Sequence, residues 1–429
     1  MILKRLNLLQ HGLLAFPIAF AGLPLYVHAP DFYATELGVP LASIGIVLLL
    51  LRIIDAVQDP LIGIISDRFH SQRNMIVSIG VVLLGIGFWM LFHPYAAYPL
   101  LWLALSVVIS TTGFSIATIN LQAVGGLWRV STNDRTRVTS AREGLGLIGL
   151  LSASVVPAVM MQHFSSEQTF HFVTLGYIPL LFCSAYVFFY WLRSANLAKP
   201  EISFHIPFPD LWNDPWLRRF VLVYALSTFA SSIPGVLVLF FIRDHLQAED
   251  QTGLFLLLYF LSGALAMPFW QLIARKRSKR FAWGVSMLLA CATFVWAFLL
   301  ESGDSWPFAI VCLLSGVALG ADLALPPAMI ADRIAIKHHE RAASRYYALL
   351  AFFSKAALAL ATGLMLPLLG WIGYQPGNVD HAGVLPIAYA LIPCIIKLSS
   401  ALLLMLSPTL TQGDYYEENL SVNRSRYVA

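Results

Sequence analysis

Charge is what this sequence has least of. Over 429 residues only 12% are Asp, Glu, Lys or Arg, while 58% are hydrophobic, and the mean hydropathy is +0.73. A soluble protein of this length needs more polar residues to cover its surface. Cysteine is also scarce. Cys183, Cys291, Cys312 and Cys394 fall in or near apolar stretches, with the spacing of neither a disulfide framework nor a metal site. No G-x-x-x-x-G-K-S/T phosphate loop occurs, so nothing argues for direct coupling to ATP hydrolysis. No H-E-x-x-H zinc pattern occurs either, and KHHE at 337–340 lies beside a basic loop and reads as solvated. No nucleophile completes a bond-breaking constellation with the carboxylates, so no enzyme, cofactor or resident metal is expected. The net charge of +4 comes without a soluble basic module, and no nucleic-acid partner is expected.

What the sequence does have is repeated apolar runs of membrane-crossing length. They fall near 10–28, 40–65, 74–94, 98–126, 142–161 and 171–192, then near 219–242, 251–273, 281–299, 305–330, 346–370 and 383–406. The first run lacks a small-residue cleavage site and reads as a span rather than a signal peptide. The connecting loops alternate in charge. One set carries Lys4, Arg5, Arg68, Arg73, Arg129, Arg135, Arg137, Arg193, Lys199, Arg218, Arg219, the run RKRSKR at 275–280, Arg333, Lys337, Arg341, Arg345, Arg424 and Arg426. The other carries Asp31, Glu36, Glu167, Asp244, Asp250, Glu301, Asp304 and Asp380, with Arg243 as its one basic residue. Basic loops stay cytoplasmic, so both termini are expected there. The expected fold is an all-α membrane protein of twelve transmembrane helices in two six-helix bundles. The bundles would be 1–192 and 219–406, with a Pro-rich cytoplasmic linker at 193–218 and a polar cytoplasmic tail at 407–429. Two equal halves suit alternating access. The basic run at 275–280 suits anionic lipid headgroups.

The stretch LRIIDAVQDPLIGIISDR at 51–68 departs from its apolar surroundings. Asp55 and Asp59 are four residues apart and lie nearly above one another on a helix. Charges in hydrocarbon are expensive, so both should face protein or water. Two close carboxylates can bind a hard monovalent cation such as Na⁺, or share a proton because like charges raise one pKa. The plainer alternative is a structural network in which Arg52, one turn earlier, balances the acids. Asp67 and Arg68, at the cytoplasmic helix end, read as a cap and interhelical tether, or a cytoplasmic gate.

RIIDAVQDPLIGIISDR resembles the second-helix signature of the glycoside–pentoside–hexuronide:cation symporters, the melibiose-permease-like branch of the major facilitator superfamily. That resemblance implies Na⁺, Li⁺ or H⁺ coupling at Asp55 and Asp59. RYYALLAFFSKAALALATGLMLPLLGWIGY at 345–374 is similar to the family's eleventh helix, and Lys355 matches its intramembrane lysine. The resemblance implies that Lys355 pairs in turn with Asp55, Asp59 or the Asp322 of GADLALPPAMIADR. TNDRTRVTSAREGLG at 132–146 resembles the connection between the fourth and fifth helices, with Arg142 at the family's helix-five arginine and Glu143 as a local partner or cap.

Two departures bear on the substrate. Where the melibiose branch has a lysine–aspartate pair on helix one, this chain has Ile18 and Ala19 in AFPIAFA. Where helix four supplies an acid or asparagine, it has ATINLQAV, with Asn120 and Gln122. Sugar recognition needs several donors and acceptors. Asn120, Gln122 and Arg142 are the substrate-binding candidates, with Trp128, Tyr346 and Tyr347 beside them. The expected function is secondary active, cation-coupled symport of a sugar or related small solute. It would run in a monomeric transport unit among the lipids of a bacterial cytoplasmic membrane. The alternatives are an amphipathic lipid-like or organic substrate, met by Lys355 or Arg142, and a non-transporting sensor or scaffold.

Overall fold

The structure is a computed structural model that describes residues 4–95, 97–198, 211–374 and 383–410. Residues 199–210 of the expected linker and all of the tail beyond residue 410 lie outside these. Among the described residues the β pairing is a single bridge between Trp128 and Leu197. Everything else regular is helical.

The first crossing is composite. Helices α1 (Arg5–Gly12) and α2 (Ala15–Leu23) lead through a π-helical turn, Pro24–His28, into α3 (Ala29–Thr35). Pro24 opens the π turn. A proline lacks the N–H that an α-helix needs, and a local change of helical pitch re-satisfies the freed carbonyls. Then come α4 (Leu41–Arg68), α5 (Arg73–Leu91), α6 (Pro99–Leu127), α7 (Thr132–Met160) and α8 (Ser166–Ser194). After the linker follow α9 (Pro215–Phe240), α10 (Thr252–Lys276), α11 (Lys279–Phe298), α12 (Ser305–Lys337), α13 (Ala343–Trp371) and α14 (Ile392–Leu406).

One boundary is corrected. Residues 132–141 read as connection in the sequence, yet α7 begins at Thr132. Ser131 caps it by accepting the Asp134 N–H at 3.2 Å, and Asp134 places a negative charge in the first turn. The polar turns are helical without being apolar, which hydropathy cannot register. Arg142 therefore sits inside a helix rather than at its entrance.

Among the described residues, eleven helical segments are long and apolar enough to cross a membrane. Helix α4 is set apart by its charges. Its 28 residues carry Ile46, Leu49, Leu50, Ile53, Ile54, Val57, Leu61, Ile64 and Ile65 on an exposed face. Asp55, Asp59, Ser66 and Asp67 are buried behind that face. The helix is thus inverted relative to a soluble one, and its apolar face needs an apolar solvent. Exposed apolar side chains recur along every long helix, far beyond what a soluble monomer displays. The chain is an integral multi-pass membrane protein.

The chain divides into two compact units, 1–202 with 334–352, and 203–333 with 353–429. Phe20, Phe88, Phe92, Phe170, Tyr177 and Trp191 belong to the core of the first. Phe241, Phe255, Phe308 and Tyr389 belong to that of the second, where the Phe241 and Tyr389 rings stack at 4.2 Å.

Close helix contacts rest on small residues, as expected where lipid offers no hydrophobic driving force between helices. A Cβ added at Gly113 of α6 would lie 2.3 Å from the Leu84 nitrogen and 2.7 Å from the Gly80 carbonyl of α5. Gly113→Val is expected to cost about 1–3 kcal/mol or more by forcing these backbones apart. The check is the melting temperature of purified protein. Gly176→Ala, where an added Cβ meets nothing within 4 Å, should not lower it.

Candidate functional site

Asp55 and Asp59 are 5% and 0% exposed. Asp55 accepts hydrogen bonds from the Tyr26 hydroxyl at 3.2 Å, the Gln58 amide at 2.8 Å and the Ser115 hydroxyl at 3.4 Å. Thr112 donates to Gln58 Oε1 at 2.9 Å. Three elements therefore meet here. Helix α4 supplies the carboxylates and Gln58, and α6 supplies Thr112 and Ser115 one turn apart. The π turn of the first crossing supplies Tyr26. The Arg52 guanidinium lies over the Tyr26 ring, 5.2 Å from its centroid. The carboxylate and hydroxyl oxygens here are of the kind hard cations prefer, with the Gln58 amide nitrogen holding Asp55 from one side.

The substrate candidates have different surroundings. Asn120 is buried and donates to Ser66 Oγ and the Ile116 carbonyl, both at 2.9 Å, tying α6 to the end of α4. Among the described residues its Oδ1, like Gln122 Oε1, has no hydrogen-bond partner. Arg142 is buried and donates through Nε to Glu143 Oε1 at 3.0 Å, with a second contact from Nη2. Trp128 packs edge-on against Trp191 at 4.6 Å. Tyr346 is fully buried, its hydroxyl 2.8 Å from His339 Nδ1. Tyr347 covers Gly126, where an added Cβ would meet its hydroxyl at 2.3 Å.

At the far end of α4, Asp67 accepts the backbone N–H groups of Ser344 and Arg345 at 2.9 and 3.0 Å. It also accepts Arg345 Nε at 2.9 Å, and Arg73 Nη2 lies 3.8 Å away. Arg73 donates onward to Ser344 Oγ at 3.1 Å. The carboxylate thus caps the positive end of α13 while compensating two buried guanidinium groups. Gly63 admits this approach, since a Cβ there would lie 2.6 Å from that of Ala348. Arg68 points out and is exposed. The sequence reading missed that ISDR at 65–68 recurs as IADR at 330–333. There Asp332 is buried against Lys279, and Arg333 donates to Asp214 at 2.8 Å.

The reading also missed Lys397. It is the one charged residue of α14, buried, and its Nζ lies 2.5 Å from Asp322 Oδ2. A lone lysine in an apolar run was the available signal. Lys355 lies half-buried on α13.

Residues 10–409 match the family described as MFS/sugar transport protein. This chain belongs to that family. It is 22% identical over 385 residues to the uncharacterized symporter YjmB of Bacillus subtilis, covering 84% of this chain and 82% of that one. Its fold is similar to that of a bacterial homologue of the iron transporter ferroportin, crystallised in an outward-facing state. That match has a TM-score of 0.67 and 18% identity, and covers 92% of this chain and 99% of the other. The fold is also similar to that of the Escherichia coli fucose:proton symporter, with a TM-score of 0.64 and 12% identity over 92% of this chain and 98% of that one. The protein is a secondary transporter related to sugar/cation symporters, with an all-α, multi-spanning fold like that of major facilitator transporters. It is a bacterial membrane transporter and not an enzyme.

Proposed function

We propose that the chain is a cation:solute symporter of the glycoside–pentoside–hexuronide type, moving a sugar-like small solute across the bacterial cytoplasmic membrane. The eleven apolar segments among the described residues, with α4 taken as a further span, support a twelve-span reading. They would form two six-helix bundles joined by the 193–218 linker, with both termini cytoplasmic and one chain as the transport unit. The observation that carries the reading is the pair of buried carboxylates on α4, backed by Tyr26, Gln58 and Ser115 behind an apolar outer face.

A cation, Na⁺ or H⁺, binds at Asp55 and Asp59 and relieves their mutual repulsion. Neutralised, α4 no longer holds two negative charges in a low-dielectric setting, and access can exchange. The unfilled amide oxygens of Asn120 and Gln122, with Arg142, are the hydroxyl-recognising groups. Lys355 serves as the electrostatic partner on the return. Asp67 acts at the cytoplasmic end as a latch on the start of α13, and Arg68 flanks it in water.

The test is flux into proteoliposomes against a library of solutes, with Na⁺ and proton gradients imposed separately. Saturable sugar uptake driven by one gradient is the expected result and identifies the ion. Lipid or organic-solute flux without sugar uptake would replace this reading with an amphipathic substrate.

A further inference from the structure

The second unit contains an ionisable centre of its own. Asp322 of α12 and Lys397 of α14 form an ion pair in a cavity lined also by Ser231, Tyr259, Cys291 and Cys394. Trp283 of α11 donates its indole N–H to Asp322 Oδ1 at 2.8 Å, and Ser231 of α9 donates to Oδ2 at 3.4 Å. The titratable groups facing Asp322 are Lys397 and Cys394 from α14, Tyr259 from α10 and Cys291 from α11. Lys397 carries the compensating charge.

We propose that Asp322 is a proton-binding site of the second unit, with Lys397 as its fixed internal counter-cation. Three features carry this. The first is what can bind. An ammonium already occupies the place a metal cation would take and repels one, whereas a proton needs no space beside the carboxylate. The cavity offers about 30 Å³ of space to water, enough to bring water to the carboxylate.

The second feature is what happens to the ammonium. Lys397 Nζ has three acceptors besides Asp322: Ser227 Oγ and Ser231 Oγ, both at 2.8 Å, and the Ser227 carbonyl at 3.3 Å. An ammonium has three N–H donors. Protonating Asp322 therefore leaves no donor of Lys397 without a partner. While paired with Asp322 the ammonium needs two of these for its other N–H groups, and the third is the surplus acceptor that takes the N–H released when the carboxyl is protonated.

The third feature is access. The Asp322 side chain keeps 18% of its surface accessible, against 5% for Lys397. A proton carried by water can reach the carboxylate while the ammonium stays sealed. In the step itself, a hydronium ion in the cavity gives a proton to a carboxylate oxygen of Asp322, its own O–H bond breaks, and it leaves as water. The centre changes from neutral to a single positive charge, and Lys397 turns wholly onto Ser227 and Ser231. Release reverses each change.

This site is independent of the carboxylates on α4, and the experiment separates the two. Full-length protein is reconstituted on a solid-supported membrane and given a pH jump, without Na⁺ and without solute. In an Asp55→Asn/Asp59→Asn background a charge transient should persist. Adding Asp322→Asn with Lys397→Gln should remove it to background. The paired replacement leaves no unpaired buried charge, so the fold should survive, with gel filtration as the check. A second readout uses the otherwise wild-type chain. Acidification should raise a protonated-carboxyl infrared band that the paired replacement deletes. An absent transient in the Asp55→Asn/Asp59→Asn protein, or a transient or band unchanged by the paired replacement, overturns the proposal. Gradient-driven solute uptake that survives Asp55→Asn/Asp59→Asn would count against the α4 site alone.

Discussion

Asp55→Asn and Asp59→Asn should each sharply reduce gradient-driven accumulation of solute while leaving the protein inserted and folded. Asparagine matches aspartate in size and retains one acceptor oxygen, so the Tyr26, Gln58 and Ser115 contacts at Asp55 can largely re-form. What disappears is the charge that a cation neutralises. Coupling between two ligands on one transporter is worth roughly 1–3 kcal/mol, so accumulation should fall about 5- to 150-fold. Solute exchange without a gradient should fall far less, which separates loss of coupling from loss of protein. The measurement is uptake into proteoliposomes with and without the driving gradient. Normal gradient-driven uptake in both variants would remove α4 from the coupling step.

Asp67→Ala should have the largest effect on stability. The Asp67 and Arg345 side chains are each 4% exposed, and Arg73 is 9% exposed. Removing the carboxylate takes a counter-charge away from two buried guanidinium groups, and the cap from two N–H groups at the start of α13. Breaking a buried pair from one side costs about 3–5 kcal/mol. A large fall in melting temperature is expected. Gly63→Leu should reproduce much of it, because its side chain would collide with Ala348 and the Arg345 backbone. Asp67→Leu combined with Arg345→Met should recover part of the loss, since a well-packed apolar pair is often as stable as the ion pair it replaces. If Asp67→Asn instead kept full stability and lost cation affinity, the residue would belong to the transport site and not to a latch.

Much of the candidate coupling site was legible in residues 51–68 because its logic is local. Two carboxylates four apart in an apolar run must share a helix face, and that face cannot meet hydrocarbon. Tyr26 and Ser115 were not legible. They reach Asp55 from residues 29 and 60 positions away, and nothing in their own neighbourhoods marks them. Asp322 was visible as an intramembrane acid, but its partner was not. Both Lys355 and Lys397 lie in apolar runs, and the packing of α9, α12 and α14 around Ser227 and Ser231 puts Lys397 on Asp322. The start of α7 was misread for a different reason. Its first turns are held by a serine cap and an acidic residue, which hydropathy does not register.

By itself, then, the sequence determined the solvent, the helical class and the presence of charge inside the apolar spans. Hydrocarbon leaves a chain with repeated apolar runs few other ways to satisfy its backbone. The tertiary structure alone decided which charges meet. An ion pair depends on a few ångströms between side chains on different helices, and those distances follow from how glycines, prolines and caps let the helices approach.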